Sequence, residues 1–410
     1  MSRQSCRSCG AALTASFVDL GSQPISNAFR SAEQLSSPEL FYPLRAMVCS
    51  NCKLVQLEDI ASRDAHFHAN YVYFSSFSNS WLDHARAYAI AMIERFHLDG
   101  TSRVVEIASN DGYLLRNFNE RGIPSLGVEP SANVAAAARA QGVETREAFF
   151  GAETASEMAA DGLSADLMAA NNVLAHVPDL NDFVAGFRIL LKPSGVATFE
   201  FPHLLPLICN VYFDTIYHEH YSYFSLLALL PLLQRQGLEA FDVEKLSTQG
   251  GSLRLFVAPA GSNRAAAASL AHLIAEEKAA GLDNLATYAS FQDKTYSAKR
   301  AILSLLCDLK VKGHAIAAYG APAKGNTLLN FIGARTDFID FTVDRNPNKQ
   351  GLFLPGTAVP VLPVEALVER KPDYVLVLPW NLASEIMDEQ SALRAGGSRF
   401  IIPLPRPIIV

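Results

Sequence analysis

The 410-residue chain lacks an excess of positive charge: 34 lysines and arginines face 41 aspartates and glutamates, a formal net charge of -7. Nucleic-acid binding, which usually needs a basic face, is not expected. No apolar run reaches the roughly 20 residues a membrane-spanning helix requires. The opening residues Met1 to Gly10 also lack the apolar core of a secretion signal. A cytoplasmic protein without a membrane partner is expected. Two glycine patterns are missing too. The turn Glu106–Gly112 has no Gly-x-Gly-x-x-Gly, which argues against a nicotinamide dinucleotide. The loop Ala321–Gly325 falls short of Gly-x-x-x-x-Gly-Lys-Ser/Thr, which argues against ATP hydrolysis.

Cysteine is scarce but not scattered. Of six, four form the Cys-x-x-Cys pairs Cys6/Cys9 and Cys49/Cys52, while Cys209 and Cys307 stand alone. Two such knuckles in a reducing compartment favour tetrahedral zinc over disulfides. Gly10 suits the tight turn of the first knuckle. Four thiolates leave no open position, so this zinc is expected to be structural.

Length points to more than one domain. Residues 1–70 form a small turn-rich zinc unit. Residues 71–260 alternate strand and helix: a helix Trp81–Phe96, a strand from Arg103 into the turn at Gly112, a strand Ser125–Glu129, a helix 132–140, and strands 165–172 and 195–201. That alternation predicts a parallel, doubly wound α/β sheet. Residues 264–312 read as long helices. Residues 261–410 then return to alternation, with strands near 314–320, 339–344, 374–379 and 400–403 and a helix starting near Asn326–Thr327, a second Rossmann-like α/β domain.

In such sheets ligands bind beyond the carboxyl ends of the strands. The first strand ends in Glu106-x-Ala108-x-Asn110-Asp111-Gly112. The second ends at Glu129, placed to accept the hydroxyls of a ribose. A later strand ends at Asn171-Asn172, just before His176. Most informative is Tyr217-His218-Glu219-His220-Tyr221-Ser222-Tyr223-Phe224-Ser225, with two histidines, a carboxylate and three phenols in nine residues. As a strand it would split these groups between two faces; a loop or bulge would bring both sets to one pocket. Histidine moves protons near neutrality and a phenol can donate to an oxygen that becomes negative.

The acid followed by spaced glycine positions resembles the donor turn of class I S-adenosylmethionine methyltransferases, with Ala108 and Asn110 where glycines are usual. Four paired cysteines, Glu106–Gly112, Tyr217–His220 and Tyr319-Gly320-Ala321-Pro322-Ala323-Lys324-Gly325-Asn326 occur in one order. Together they resemble the sugar C-methyltransferases of deoxysugar biosynthesis, such as carbon-3 methyltransferases acting on dTDP-linked 4-ketosugars. The resemblance spans essentially the whole chain. It implies a zinc domain, a class I methyltransferase domain and a Rossmann-like domain, with S-adenosylmethionine as cofactor and a small-molecule sugar nucleotide as partner, in a monomer or weak dimer. It places the chemistry on Tyr71, His176, Tyr217, Glu219 and His220, with His220 the base. Donor binding falls to Glu106, Ala108, Asn110, Gly112, Glu129, Asn171 and Asn172. The strand-to-helix turn with Tyr319, Gly320, Lys324, Asn326 and Thr327 is expected to hold the nucleotide diphosphate. Methylation of oxygen or nitrogen on a small molecule, or a non-enzymatic nucleotide-binding role, are the rival readings.

Overall fold

The structure, a computed structural model, describes residues 5–58, 75–77 and 79–410. Tyr71 lies outside the described residues. The amino-terminal strands β1 (Ala15–Gln23), β2 (Tyr42–Val48) and β3 (Val55–Leu57) form an antiparallel meander. Alternation sends Phe17, Leu44, Ala46 and Val48 inward.

Seven strands build the middle sheet: β4 (Val104–Ile107), β5 (Ser125–Val128), β6 (Thr145–Arg146), β7 (Ala165–Asn171), β8 (Leu191–Pro202), β10 (Leu238–Leu246) and β11 (Ser252–Pro259). Their order is β10-β11-β8-β7-β4-β5-β6. β4 to β8 run parallel, and β4, with all four residues buried, reads as a strand covered on both faces. The wholly parallel sheet expected from the alternation is corrected at one edge, where β11 pairs antiparallel with β8 and with β10. A hairpin joins β10 to β11 with no crossover helix, and antiparallel pairing follows from that short connection.

The strand β9 (Ser222–Tyr223) leaves this sheet and pairs instead with β3 of the amino-terminal meander. The segment rich in histidine and tyrosine is therefore pinned to the zinc unit at its downstream end.

In the carboxyl-terminal part, the helices Ala268–Ala279 and Phe291–Val311 precede a third sheet. The first packs Leu270 and Leu273 into the core of the middle sheet; the second packs Phe291 against Phe17 of β1, ring centroids 4.4 Å apart. The third sheet contains β12 (Ile316–Tyr319), β13 (Thr342–Val343), β14 (Val361–Leu362), β15 (Tyr374–Val377), β16 (Arg399–Ile402) and β17 (Ile408–Ile409), in the order β14-β13-β12-β15-β16-β17. The helix after β12 runs Ala323–Ile332, beginning earlier than the expected Asn326–Thr327. Pro322 sets the start, since its fixed φ suits a helix entry and its ring cannot lie deeper in one. Lys324 therefore sits in the first helical turn.

Among the described residues no helix is long and apolar enough to cross a membrane.

Candidate active site

The two knuckles meet. The donor sulfurs of Cys6, Cys9, Cys49 and Cys52 all lie within 4.8 Å of one another, with Cys6–Cys52 at 3.6 Å and Cys9–Cys49 at 3.5 Å. A tetrahedral zinc with bonds of about 2.3 Å needs sulfurs about 3.8 Å apart, so the donor set fits that ion. Gly10 (φ +75°) closes the first knuckle in the left-handed region, and Lys53 (φ +61°) takes the equivalent place in the second. The cluster is packed onto the middle domain: Arg7 donates to Pro178 O and Leu57 O, and Asn181 and Arg235 donate back to the carbonyls of Arg7 and Ser8. Four sulfur donors fill a tetrahedral shell, as a structural ion requires.

At the carboxyl end of β4 the chain turns sharply. Ala108 (φ +56°), Asn110 (φ +51°) and Gly112 (φ +80°) all adopt the left-handed conformation. These are the alternate positions where glycine was expected, which explains the pattern physically: every second residue needs a positive φ. Asparagine tolerates this region; alanine pays roughly 1–2 kcal/mol. At Gly112 a side chain is barred outright, because a Cβ would come within 2.7 Å of Val143 Cγ2. Glu129 then locks the turn, accepting from the backbone N–H of Asn110 (3.1 Å) and of Ser131 (2.9 Å).

This turn borders a cavity of about 390 Å³. One wall carries Ala108, Asn110, Glu129, Asn171 and Asn172, with Trp81, Phe149 and Phe150 beside them. Glu129 is held above the ordinary carboxylate range by burial. The side-chain oxygens of Asn171 and Asn172 are buried and have no hydrogen-bond partner among the described residues. An acid, aromatic surfaces and unpaired amide acceptors suit the hydroxyls, base and ammonium of S-adenosylmethionine in kind. Glu106 and Gly112 do not line the cavity. Glu106 lies under the turn, where burial raises its pKa well above normal while Tyr113 opposes that shift by hydrogen bonding.

The opposite wall is the Tyr217–Phe224 segment, and it is not a strand until Ser222. A turn closed by His220 N–H to Tyr217 O (2.9 Å) gathers Tyr217, Glu219 and His220 into the cavity together with His176. His218 points away, its ring nitrogen donating to Pro43 O at 3.2 Å, so it secures the zinc unit. The alternate-face reading of a strand is thus replaced by the turn.

His220 Nδ1 lies 2.9 Å from the Thr215 carbonyl, which can only accept, and Nε2 lies 2.7 Å from the Tyr217 hydroxyl. Burial, with the nearby His176, depresses the His220 pKa well below the ordinary imidazole value. The ring is neutral with its lone pair on Nε2, and the Tyr217 hydroxyl donates to it. The His176 ring meets His220 edge-on at 4.7 Å. Glu219 is buried and its carboxyl is pushed up to about 7, opposed by a hydrogen bond from Asn27 Nδ2 (2.7 Å) and by Lys349.

Of the carboxyl-terminal residues singled out from sequence, Lys324 lines the cavity. Its ammonium donates to Asn381 Oδ1 (2.6 Å), lies 4.8 Å from the Trp380 ring centre, and is lowered to about 8 by burial. Tyr319, Gly320, Asn326 and Thr327 do not line it. Tyr319 packs in the core of the third sheet; Gly320 (φ +86°) has no room for a Cβ beside Pro379. Asn326 donates to Ser26 O (2.6 Å) and so faces the amino-terminal unit, and Thr327 is fully buried. Sequence reasoning missed Asn27, Trp81, Phe149, Phe150, Gln249 and Lys349. Trp81 lies on the helix Asn79–Phe96, Gln249 on a short 3-10 turn and the others on loops; only tertiary packing brings them to the cavity, and nothing in a linear pattern carries that.

The chain is 36% identical to the C-methyltransferase NovU of Streptomyces niveus over 405 residues, covering 99% of this chain and 96% of NovU. The chain belongs to the C-methyltransferase family. Family models match in three consecutive pieces: a zinc binding domain over residues 6–67, a methyltransferase domain over 81–243 and a C-methyltransferase C-terminal domain over 247–405. Two solved structures resemble part of the chain. The magnesium protoporphyrin IX methyltransferase of Synechocystis PCC 6803, with bound SAM, has 12% identity and a TM-score of 0.34 over 44% of this chain and 79% of its own. The CcbJ methyltransferase of Streptomyces caelestis has 13% identity and a TM-score of 0.35 over 43% and 90%.

This C-methyltransferase therefore has the class I methyltransferase sheet between a zinc-binding unit and a second α/β domain. It uses S-adenosylmethionine as methyl donor and carries a four-cysteine site for zinc.

Proposed function

We propose that this C-methyltransferase acts on a nucleotide-linked 4-keto-deoxysugar, with dTDP the carrier and carbon 3, next to the ketone, the atom methylated. The observation that supports this reading most is the shared cavity. A neutral imidazole, two hydroxyl or carboxyl donors and a buried lysine face the donor wall across it. Forming a bond to carbon beside a ketone needs a base for the carbon-bound proton and donors for the enolate oxygen.

His220 is the base in this reading. Its Nδ1–H is committed to Thr215 O, so Nε2 is the nitrogen that receives the proton. Before that, Tyr217 turns its hydrogen from Nε2 to the ketone oxygen, which frees the lone pair and stabilises the enolate in one movement. His176 and Glu219 hold the rest of the ketone edge, and Tyr71 belongs to the same group. Glu129, Asn110, Ala108, Asn171 and Asn172 bind the donor, while Glu106 and Gly112 support the turn. Bound S-adenosylmethionine supplies an electrophilic sulfonium methyl. Lys324 meets the diphosphate.

We divide the chain into units 1–70, 71–260 and 261–410. A cytoplasmic monomer or weak dimer is part of the same reading; paired reduced cysteines suit a reducing compartment.

The test is incubation of the pure protein with labelled donor and a panel of nucleotide-linked 4-ketosugars, with NMR analysis of the product. A new methyl on ring carbon supports the reading. A methyl on oxygen or nitrogen, or no transfer to any of the panel, overturns it.

A further inference from the structure

The loop Pro24–Arg30 belongs to the zinc unit by sequence, yet it is held by the carboxyl-terminal domain. Arg30 and Phe353 exchange both backbone hydrogen bonds, at 3.0 and 2.9 Å. Asn326 donates to Ser26 O at 2.6 Å, and farther along Glu39 accepts from Gly356 N–H at 2.8 Å. Clamped in this way, the loop carries Asn27 into the cavity, where its Nδ2 donates to Oε1 of Glu219 at 2.7 Å. That contact links the amino-terminal unit to the reacting segment of the middle domain, while the carboxyl-terminal domain holds the loop in place.

The direction of that bond matters. An amide N–H can only donate, so Oε1 of Glu219 must accept. Any proton the carboxyl carries then resides on Oε2, for which no hydrogen bond is found among the described residues. We propose that Asn27 is a positioning residue: it fixes the Glu219 carboxyl so that Oε2, bearing the proton, donates to the substrate oxygen that becomes negative.

In the step, His220 Nε2 takes the proton from carbon, the electron pair moves onto the ketone oxygen, and the Oε2–H hydrogen bond to that oxygen shortens. Glu219 keeps its proton throughout, so charge balances as imidazolium against enolate. The charged and titratable groups that face Glu219 are Lys349 from the carboxyl-terminal domain, whose ammonium donates to Ala321 O (2.9 Å), and, across the cavity, Tyr217, His220, His176 and Lys324. Burial holds Glu219 protonated near neutrality, and both Asn27 and Lys349 oppose that effect. Removing Asn27 therefore raises the Glu219 midpoint rather than lowering it.

This assignment rests on the proposed enolate chemistry for its purpose but not for its first test. Infrared titration of the substrate-free, zinc-loaded protein gives a carboxylic C=O band for Glu219, identified by its loss in Glu219→Gln. In Asn27→Ala the band should change frequency and its midpoint should move to higher pH. In the isosteric Asn27→Asp the midpoint should move further in the same direction, and this variant carries the test if Asn27→Ala does not fold. An unchanged band and midpoint in a folded variant overturns the proposal, whatever the substrate proves to be. With a nucleotide-linked 4-ketosugar that is turned over, Asn27→Ala should lose roughly tenfold to a hundredfold in kcat, the scale of outer-shell partners, with KM little changed. Its alkaline limb should shift upward. A loss confined to KM overturns the positioning role. Absence of any turnover by the wild type would remove the enolate reading alone and leave the infrared result standing.

Discussion

The Tyr217 hydroxyl and His220 Nε2 lie 2.7 Å apart, and the other nitrogen of that imidazole is spent on the Thr215 carbonyl. One hydrogen bond selects the tautomer and the other occupies the lone pair that remains. An imidazole held like this is neutral, and its lone pair is free only when the phenol moves aside.

Replacing His220 by asparagine is expected to abolish both methyl transfer and exchange of the acidic sugar proton with deuterated water, with donor binding intact. Exchange at the wild-type rate would move the base to another group, His176 first. In the wild type, the acid limb of kcat should lie well below the ordinary imidazole pKa, because burial and His176 depress His220. The same sign holds for stability. Where the unfolded chain binds the proton more readily, folding loses free energy as pH falls from the unfolded pKa through the folded one. A limb at or above the ordinary imidazole value would contradict the buried, neutral ring.

Glu129→Ala should weaken S-adenosylmethionine binding by about tenfold to a hundredfold, the equivalent of one hydrogen bond to a charged group. Calorimetry measures this. The turn also loses the acceptor of the Asn110 and Ser131 N–H groups, so thermal stability should fall as well. Full affinity in a folded variant would place the ribose elsewhere.

Metal analysis should find about one zinc per chain. Cys49→Ser should lose the ion together with gross stability, because the knuckles also seat Arg7 and Ser8 on the middle domain. Cys209→Ser should lose neither, since Cys209 is exposed and outside the cluster. A metal-free, well-folded protein would refute the assignment.

Lys324→Ala should raise KM for a nucleotide-linked sugar by roughly tenfold or more, the worth of one charge-assisted hydrogen bond, without changing donor affinity. The wild-type KM should itself climb as pH rises through about 8, where the buried ammonium loses its proton, and the variant should lack that rise. Equal pH profiles would reduce the helix start at Ala323 to a structural turn.

Much of this was legible in linear order. Cys-x-x-Cys spacing determines local geometry whatever surrounds it, so the zinc knuckles could be read directly. The β4 strand, its turn and Glu129 are equally local: strand propensity, a run of positive-φ positions and a following acid are all written within one βαβ unit. Even the departures at Ala108 and Asn110 are consistent, since their backbone takes the shape glycine would have taken. The segment Tyr217–His220 stood out by composition, and three of its four residues line the cavity.

Tertiary structure decided which of these groups meet. His218 and His220 are two residues apart, yet a turn sends one to the zinc unit and the other to the cavity. Asn326 and Lys324 share a helix start, but helical geometry separates their side chains, so one clamps Ser26 and the other lines the cavity. Asn27 reaches Glu219, at a separation of 192 residues, because the carboxyl-terminal domain holds its loop. Local sequence determines backbone shape through sterics and hydrogen bonding over a few residues. Partners so distant are chosen by how whole domains pack, and no short-range pattern encodes that.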